Sequence, residues 1–228
     1  MIFAANFKMH HTRASTRAYI AQLEQRVSED TRVYIFPPAT ALDSYETRFT
    51  LGAQNAYGAK QGAFTGEIGL AQLEEFGIST VMVGHSERRD IFGESQAMSA
   101  QKFAFYKEHG FEIVYCIGEP LEVRERGIEA VMAHLDAQFE GVDTDYDKLI
   151  VAYEPVWAIG TGVAATPEAI AQTHAELRKR TSAPLLYGGS VKPENIAEIS
   201  AIKDVDGVLV GSASLDAETF AALIKNAR

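Results

Sequence analysis

Residues 112–117 read EIVYCI and residues 149–153 read LIVAY. Neither run alternates apolar with polar. A strand that is apolar on both faces suits a sheet covered on both sides, which is the condition of parallel sheets flanked by helices. Six further short runs continue the pattern, at 2–7, 32–36, 50–53, 80–84, 185–187 and 207–210. Between them lie longer stretches with apolar residues three and four apart, such as Ala18, Leu23 and Val27, or Ile170, His174 and Leu177, which predict helices. Thr166, Pro167 and Glu168 supply an N-cap, a proline at the first helical position and a first-turn acid, while His109 and Gly110 supply a helix end.

Length decides how these units combine. Shared among eight units, 228 residues give about 28 each. That is enough for a strand of about 5, a helix of about 11 and two connections of about 5. The weakest unit is the third, where the run 50–53 is brief and the helix 70–76 short. No Ser/Gly/Pro-rich linker or charge run marks a boundary. The expectation is an α/β fold, a single closed (β/α)₈ barrel over residues 1–228, at the short end for that architecture.

Composition narrows the function classes. The chain is 46% hydrophobic and 23% charged, the balance of an ordinary globular protein. A net charge of −10 argues against non-specific binding to nucleic acid or acidic membranes, which needs a surplus of Lys and Arg. An anionic ligand must then be held by local geometry. Cys116 is the only cysteine, so no disulfide forms within the chain, and no Cys/His cluster stands at ligand spacing. Neither a metal nor a cofactor is expected. Without a secretion signal or a membrane-length apolar window, the expected location is the cytoplasm.

In a parallel barrel the C-terminal strand ends share one face, and the loops that follow them build the site. Those ends carry Asn6 and Lys8, Pro37-Pro38, Gln54-Asn55, His85-Ser86-Glu87, Gly118-Glu119, Glu154-Pro155, Gly188-Gly189-Ser190 and Gly211-Ser212. Strand order alone therefore brings Lys8, His85 and Glu154 to one mouth. Glu154, after LIVAY and before a proline, is placed at a dry rim where desolvation raises a carboxylate's basicity. The alternative is a strand-end acid in an ion pair, and Glu119 has the same Glu-Pro setting. His85 sits where a strand meets the SERR turn, so a helix N-terminus can keep its imidazole neutral. His10, His11, His109, His134 and His174 receive no role. Lys8 offers an ammonium to an anionic substrate. It reads otherwise as a snorkelling strand-end lysine or, if desolvated, a Schiff-base nucleophile of an aldolase.

The glycine turns at 187–190 and 210–215 follow the seventh and eighth strands, where barrels build a phosphate cup from backbone N–H groups. Residues 155–162 (PVWAIGTG) form an apolar loop between a proline and glycines, suited to a lid or to permanent packing on the rim.

Taken in order, AANFKM, VGHSERR, YCIGE, AYEPVWAIGTG, YGGSV and VLVGSASL resemble the triosephosphate isomerase family from about Ile2 to Leu215. The resemblance implies the TIM barrel fold. It also implies interconversion of dihydroxyacetone phosphate and glyceraldehyde 3-phosphate without metal or organic cofactor. Glu154 is then the general base, His85 the neutral electrophile, and Lys8 with Asn6 the groups that bind substrate and stabilise negative charge. The phosphate is placed on N–H groups of Gly160, Ser190, Gly211 and Ser212, with Ser86 supporting and Glu87 pairing with Lys8. A homodimer is implied too, in which residues 61–67 (QGAFTGE), with Thr65, insert into the partner. Three departures stand out: Phe7 where a Trp is usual, Ser212 in place of a glycine, and residues 163–165 (VAA) at the far end of the lid. A phosphate-binding scaffold without catalysis is the non-enzymatic alternative, since barrels host many functions.

Overall fold

Each apolar run carries a strand in the computed structural model, which describes residues 1–159 and 165–227. The strands are β1 (Ile2–Asn6), β2 (Arg32–Phe36), β3 (Thr50–Leu51), β4 (Thr80–Val83), β5 (Glu112–Ile117), β6 (Leu149–Tyr153), β7 (Leu185–Tyr187) and β8 (Gly207–Val210). They pair in parallel in the order β3-β2-β1-β8-β7-β6-β5-β4. Ala53 closes the ring against Val81: its amide donates to the Thr80 carbonyl at 3.0 Å and its carbonyl accepts from the Met82 amide at 2.8 Å. The fold is a (β/α)₈ TIM barrel. The run expected at 50–53 is realised as a two-residue strand and this separate bridge. Between them Gly52 makes way for the Phe36 ring, whose Cε1 would lie 2.3 Å from a Cβ at that position.

Around the barrel run α1 (Arg13–Glu24), α2 (Leu70–Glu75), α3 (Ser86–Asp90), α4 (Gln96–Glu108), α5 (Leu121–Arg124), α6 (Ile128–Gln138), α7 (Pro167–Arg178), α8 (Ile196–Ser200) and α9 (Ala217–Asn226). The Thr166 side chain caps α7 by accepting the Ala169 amide, and Gly110 ends α4 at φ +72°. In α1 the expected face needs correcting, because Ala18 is exposed. The buried face is Thr16, Tyr19, Ile20 and Leu23, the spacing that aligns residues along one side of a helix. Among the described residues, no helix is long and apolar enough to cross a membrane.

Strand parity splits the interior into two cores. Ile2, Ala4, Tyr34, Phe36, Met82, Val114, Cys116, Ile150, Ala152, Leu186 and Leu209 form the cluster inside the barrel. Their neighbours Phe3, Ala5, Val33, Ile35, Tyr115, Ile117, Val151 and Tyr153 face outward against the helices. This two-sided burial is why the strands read as continuous apolar runs. It also fixes what comes next. Asn6, Gly118, Glu154, Gly188 and Gly211 each lie two residues beyond an inward-facing residue, at the mouth.

Candidate active site

The mouth is assembled from strand ends. Asn6 closes β1, and its Oδ1 accepts the Lys8 amide at 3.0 Å, holding Lys8 in a left-handed turn at φ +50°. The Lys8 Nζ reaches Glu87 Oε1 at 2.6 Å, the expected pair. A lysine that attacks a carbonyl needs a neutral amine in a desolvated or cation-flanked setting. Lys8 instead faces a carboxylate, which removes the support for a Schiff-base reading.

His85 follows Gly84, whose φ of +75° turns the chain at the end of β4. The ring caps α3, with Nδ1 accepting the Glu87 amide at 3.2 Å. A nitrogen that accepts an N–H carries no hydrogen, so the one ring hydrogen belongs on Nε2. Nε2 lies 3.0 Å from Glu154 Oε1. The other carboxylate oxygen, Oε2, accepts the Ser86 amide at 3.1 Å. Both side chains are buried.

Burial is the strongest influence on His85 and acts to depress its pKa, but the Glu154 and Glu87 carboxylates outweigh it and raise the ring's proton affinity. For Glu154, burial acts upward. Contact with His85, the Ser86 amide and Lys8 together hold its pKa below the usual carboxylate range. That corrects the sequence expectation of a carboxylate made more basic by desolvation: in this resting arrangement the donors on both oxygens outweigh the dry surroundings.

Glu119 lies one strand away and is fully buried, yet it is a different kind of residue. It faces outward and accepts from Arg124 Nε at 2.8 Å, from the Tyr153 hydroxyl at 3.0 Å and from Trp157 Nε1 at 3.2 Å. It is the structural ion pair, and Glu154 is the one at the mouth.

Sequence reading missed what the glycines do here. Gly188, Gly189 and Gly211 do not adopt positive φ; they are close-approach glycines. A Cβ on Gly188 would lie 2.8 Å from Glu154 Cγ, and one on Gly118 would lie 1.8 Å from the Glu154 carbonyl oxygen. On Gly211 it would lie 3.3 Å from Lys8 Cε. The missing side chains make the space in which Glu154 and Lys8 sit. Gln54, placed at the mouth from sequence but given no role, donates from Nε2 to the carbonyls of Lys8 and Phe36, both at 2.8 Å, and so fixes the first loop.

Asn6, Lys8, His85 and Glu154 line a cavity of about 250 Å³ together with Ser190, Gly211 and Ser212. Residues 212–214 form a single 3₁₀ turn, and the first amides of such a turn have no carbonyl partner within it. Ser212 itself is exposed at the cavity edge. Gly160 lies outside the described residues, as does the part of the expected lid from 160 to 164. Among the described residues, no three His, Cys, Asp or Glu side chains are grouped so as to hold a metal ion.

The family model for triosephosphate isomerase matches residues 1–227. A triosephosphate isomerase of Sulfurovum sp. is 67% identical over 228 residues, covering 98% of this chain and 99% of the relative. Those of Nitratiruptor sp. and Wolinella succinogenes are 60% and 55% identical, covering 100% and 99% of this chain and 99% of each relative. Barrel, mouth and sequence agree, and the chain belongs to the triosephosphate isomerase family.

Proposed function

We propose that this isomerase interconverts dihydroxyacetone phosphate and glyceraldehyde 3-phosphate through an enediolate, with Glu154 as the base. One observation carries the reading: a buried carboxylate and an imidazole lie 3.0 Å apart at one edge of a small cavity that Lys8 also lines. Glu154 removes a proton from the carbon next to the carbonyl and returns it to the neighbouring carbon. His85 Nε2–H donates to the substrate oxygens as negative charge moves onto them, giving its proton to the former carbonyl oxygen and regaining one from the former hydroxyl, and Lys8 and Asn6 stabilise that charge. In the resting site the same Nε2–H engages Glu154 and weakens it as a base. When a substrate oxygen takes over that hydrogen bond, one of the influences lowering the carboxyl pKa is removed and burial acts more freely. Substrate binding thus makes the base stronger at the moment it is used.

The phosphate is assigned to the glycine side of the cavity, on N–H groups of Ser190, Gly211 and Ser212. Because the contact is through backbone, Ser212, exposed at the cavity edge, serves in place of a glycine. The working form is assigned as a homodimer. A larger cavity of about 540 Å³ adjoins the site, shares Asn6, Lys8 and His85 with it, and is flanked by exposed Met9, Ile91 and Phe92. Residues 61–67 are exposed throughout, and we assign their insertion, with Thr65, to this cavity of the partner.

Deuterium from solvent should enter the carbon-bound position of the triose phosphate during turnover. Glu154→Ala should lower kcat by at least about 10²-fold, the loss expected for a positioned general base. Binding of the triose phosphate without exchange would favour the scaffold reading, and near-wild-type turnover of the variant would remove Glu154 from the mechanism.

A further inference from the structure

His11 received no role from sequence, yet it occupies a costly position. It holds φ +71°, a left-handed conformation that suits glycine and strains a residue with a side chain. Such strain persists where the surroundings over-determine it. Three contacts do so here. His11 Nε2 donates to the Leu215 carbonyl at 2.9 Å, across 204 residues of chain. Nδ1 lies 3.1 Å from Ser15 Oγ, in the first turn of α1. The ring packs on Phe7, centroid to centroid 4.4 Å, with Tyr19 at 5.7 Å.

Leu215 ends the 3₁₀ turn of residues 212–214, its amide returning to the Ser212 carbonyl at 3.2 Å. Phe7 immediately precedes Lys8. His11 therefore ties the loop that carries Lys8 to the turn that begins with Ser212. The two loops also meet directly where the Lys8 stem runs past Gly211. On the other side, Gln54 holds the Lys8 carbonyl. Loop one is thus fixed to the loop after β3 by Gln54 and to the loop after β8 by His11.

We infer that His11 is a positioning residue for phosphate binding, a clamp that sets the Ser212 turn at a fixed separation from the Lys8 ammonium. It touches no substrate. Its effect falls on binding of the phosphate, which is common to ground and transition states, so loss of the clamp raises KM and leaves kcat nearly unchanged. The inference rests on the phosphate cup proposed above. Wild-type turnover and its competitive inhibition by inorganic phosphate test that cup, and variants at position 11 test the clamp.

His11→Gly separates the two explanations of this residue, since glycine adopts the backbone conformation freely but carries no donor. If position 11 matters only as a turn, His11→Gly has wild-type KM and a thermal midpoint at or above wild type. The clamp predicts that KM and the inhibition constant of inorganic phosphate both rise about 3- to 10-fold, the worth of one neutral hydrogen bond. His11→Gln, which keeps an N–H donor of similar reach, should restore both constants to within about twofold of wild type, well inside that hydrogen-bond worth. Wild-type constants in His11→Gly, or no recovery in His11→Gln, would overturn the assignment.

Discussion

Gly188 shows how closely the mouth depends on atoms that are not there. Replacing it with alanine places a methyl carbon 2.8 Å from Glu154 Cγ, well inside van der Waals contact. Because Gly188 does not adopt positive φ, alanine adds little backbone strain, and the added carbon acts mainly on the carboxylate beside it. Gly188→Ala should fold with wild-type circular dichroism and lose about 10- to 100-fold in kcat, since displacement of a reacting group by about 1 Å costs that much. Steady-state kinetics beside a thermal melt would decide it, and unchanged kcat would mean that Glu154 does not work from the position it occupies here. The same residues mark what the sequence let one read. Glu154 and Glu119 both precede proline at strand ends, and their local sequences do not tell them apart. Phase does: Ala152 points into the barrel, so Glu154 does too, whereas Glu119 follows Ile117 on the outer face. Assigning that phase needs the neighbouring strands, because runs apolar on both faces carry no alternation to read.

At the level of elements, most strand limits were legible because apolar runs end where polar mouth residues begin. Helix faces were less so. In α1 the inward residues include Thr16, and the hydrophobic Ala18 faces solvent. The short α3 was legible only as the SERR turn, since a five-residue helix has too few residues to show a period. Helix α7 was read correctly, and its docking has a measurable signature. His174, buried between the Tyr153 and Tyr187 rings, has Nδ1 3.0 Å from the Asp204 carbonyl. Burial lowers its pKa to about 4 from 6.5, against the opposing pull of that carbonyl. The folded state therefore stays neutral while the unfolded chain takes up a proton below pH 6.5, so the unfolded form binds more protons in this window. Stability is complete above pH 6.5 and falls as the pH drops towards 4, by about 3 kcal/mol for a shift of this size. Denaturant unfolding at pH 4.5, 5.5 and 7 should show a steeper loss for wild type than for His174→Phe, which has no group to protonate. Parallel pH dependences in the two proteins would show that His174 is charged, or not buried, in the folded state.

The closed ring gives the whole molecule one functional face, and that face continues into apolar surface that the barrel itself does not cover. Met9 is 93% exposed, Ile91 70% and Phe92 68%. Grouped at this exposure, they fit the homodimer contact proposed above. They lie on the loops that carry Lys8 and Glu87, the ion pair at the edge of the mouth. Beside Phe92 stands Arg88, its guanidinium 5.5 Å from the Phe92 ring and its Nε 2.7 Å from buried Glu94. A covering subunit would therefore brace the same segments that position Lys8, and would couple assembly to turnover. Sequence alone could not place this surface, since Met9, Ile91 and Phe92 come together only when the first and fourth loops meet around the ring. Wild-type protein should sediment as a dimer at micromolar concentration, and Phe92→Asp should shift it to monomer by introducing a charge that association would have to desolvate. The monomer should keep the barrel's circular dichroism and lose at least about 10-fold in kcat, because loops no longer braced hold Lys8 away from its working geometry. A fully active monomeric wild type, or a dimeric Phe92→Asp, would separate the apolar surface from both assembly and catalysis.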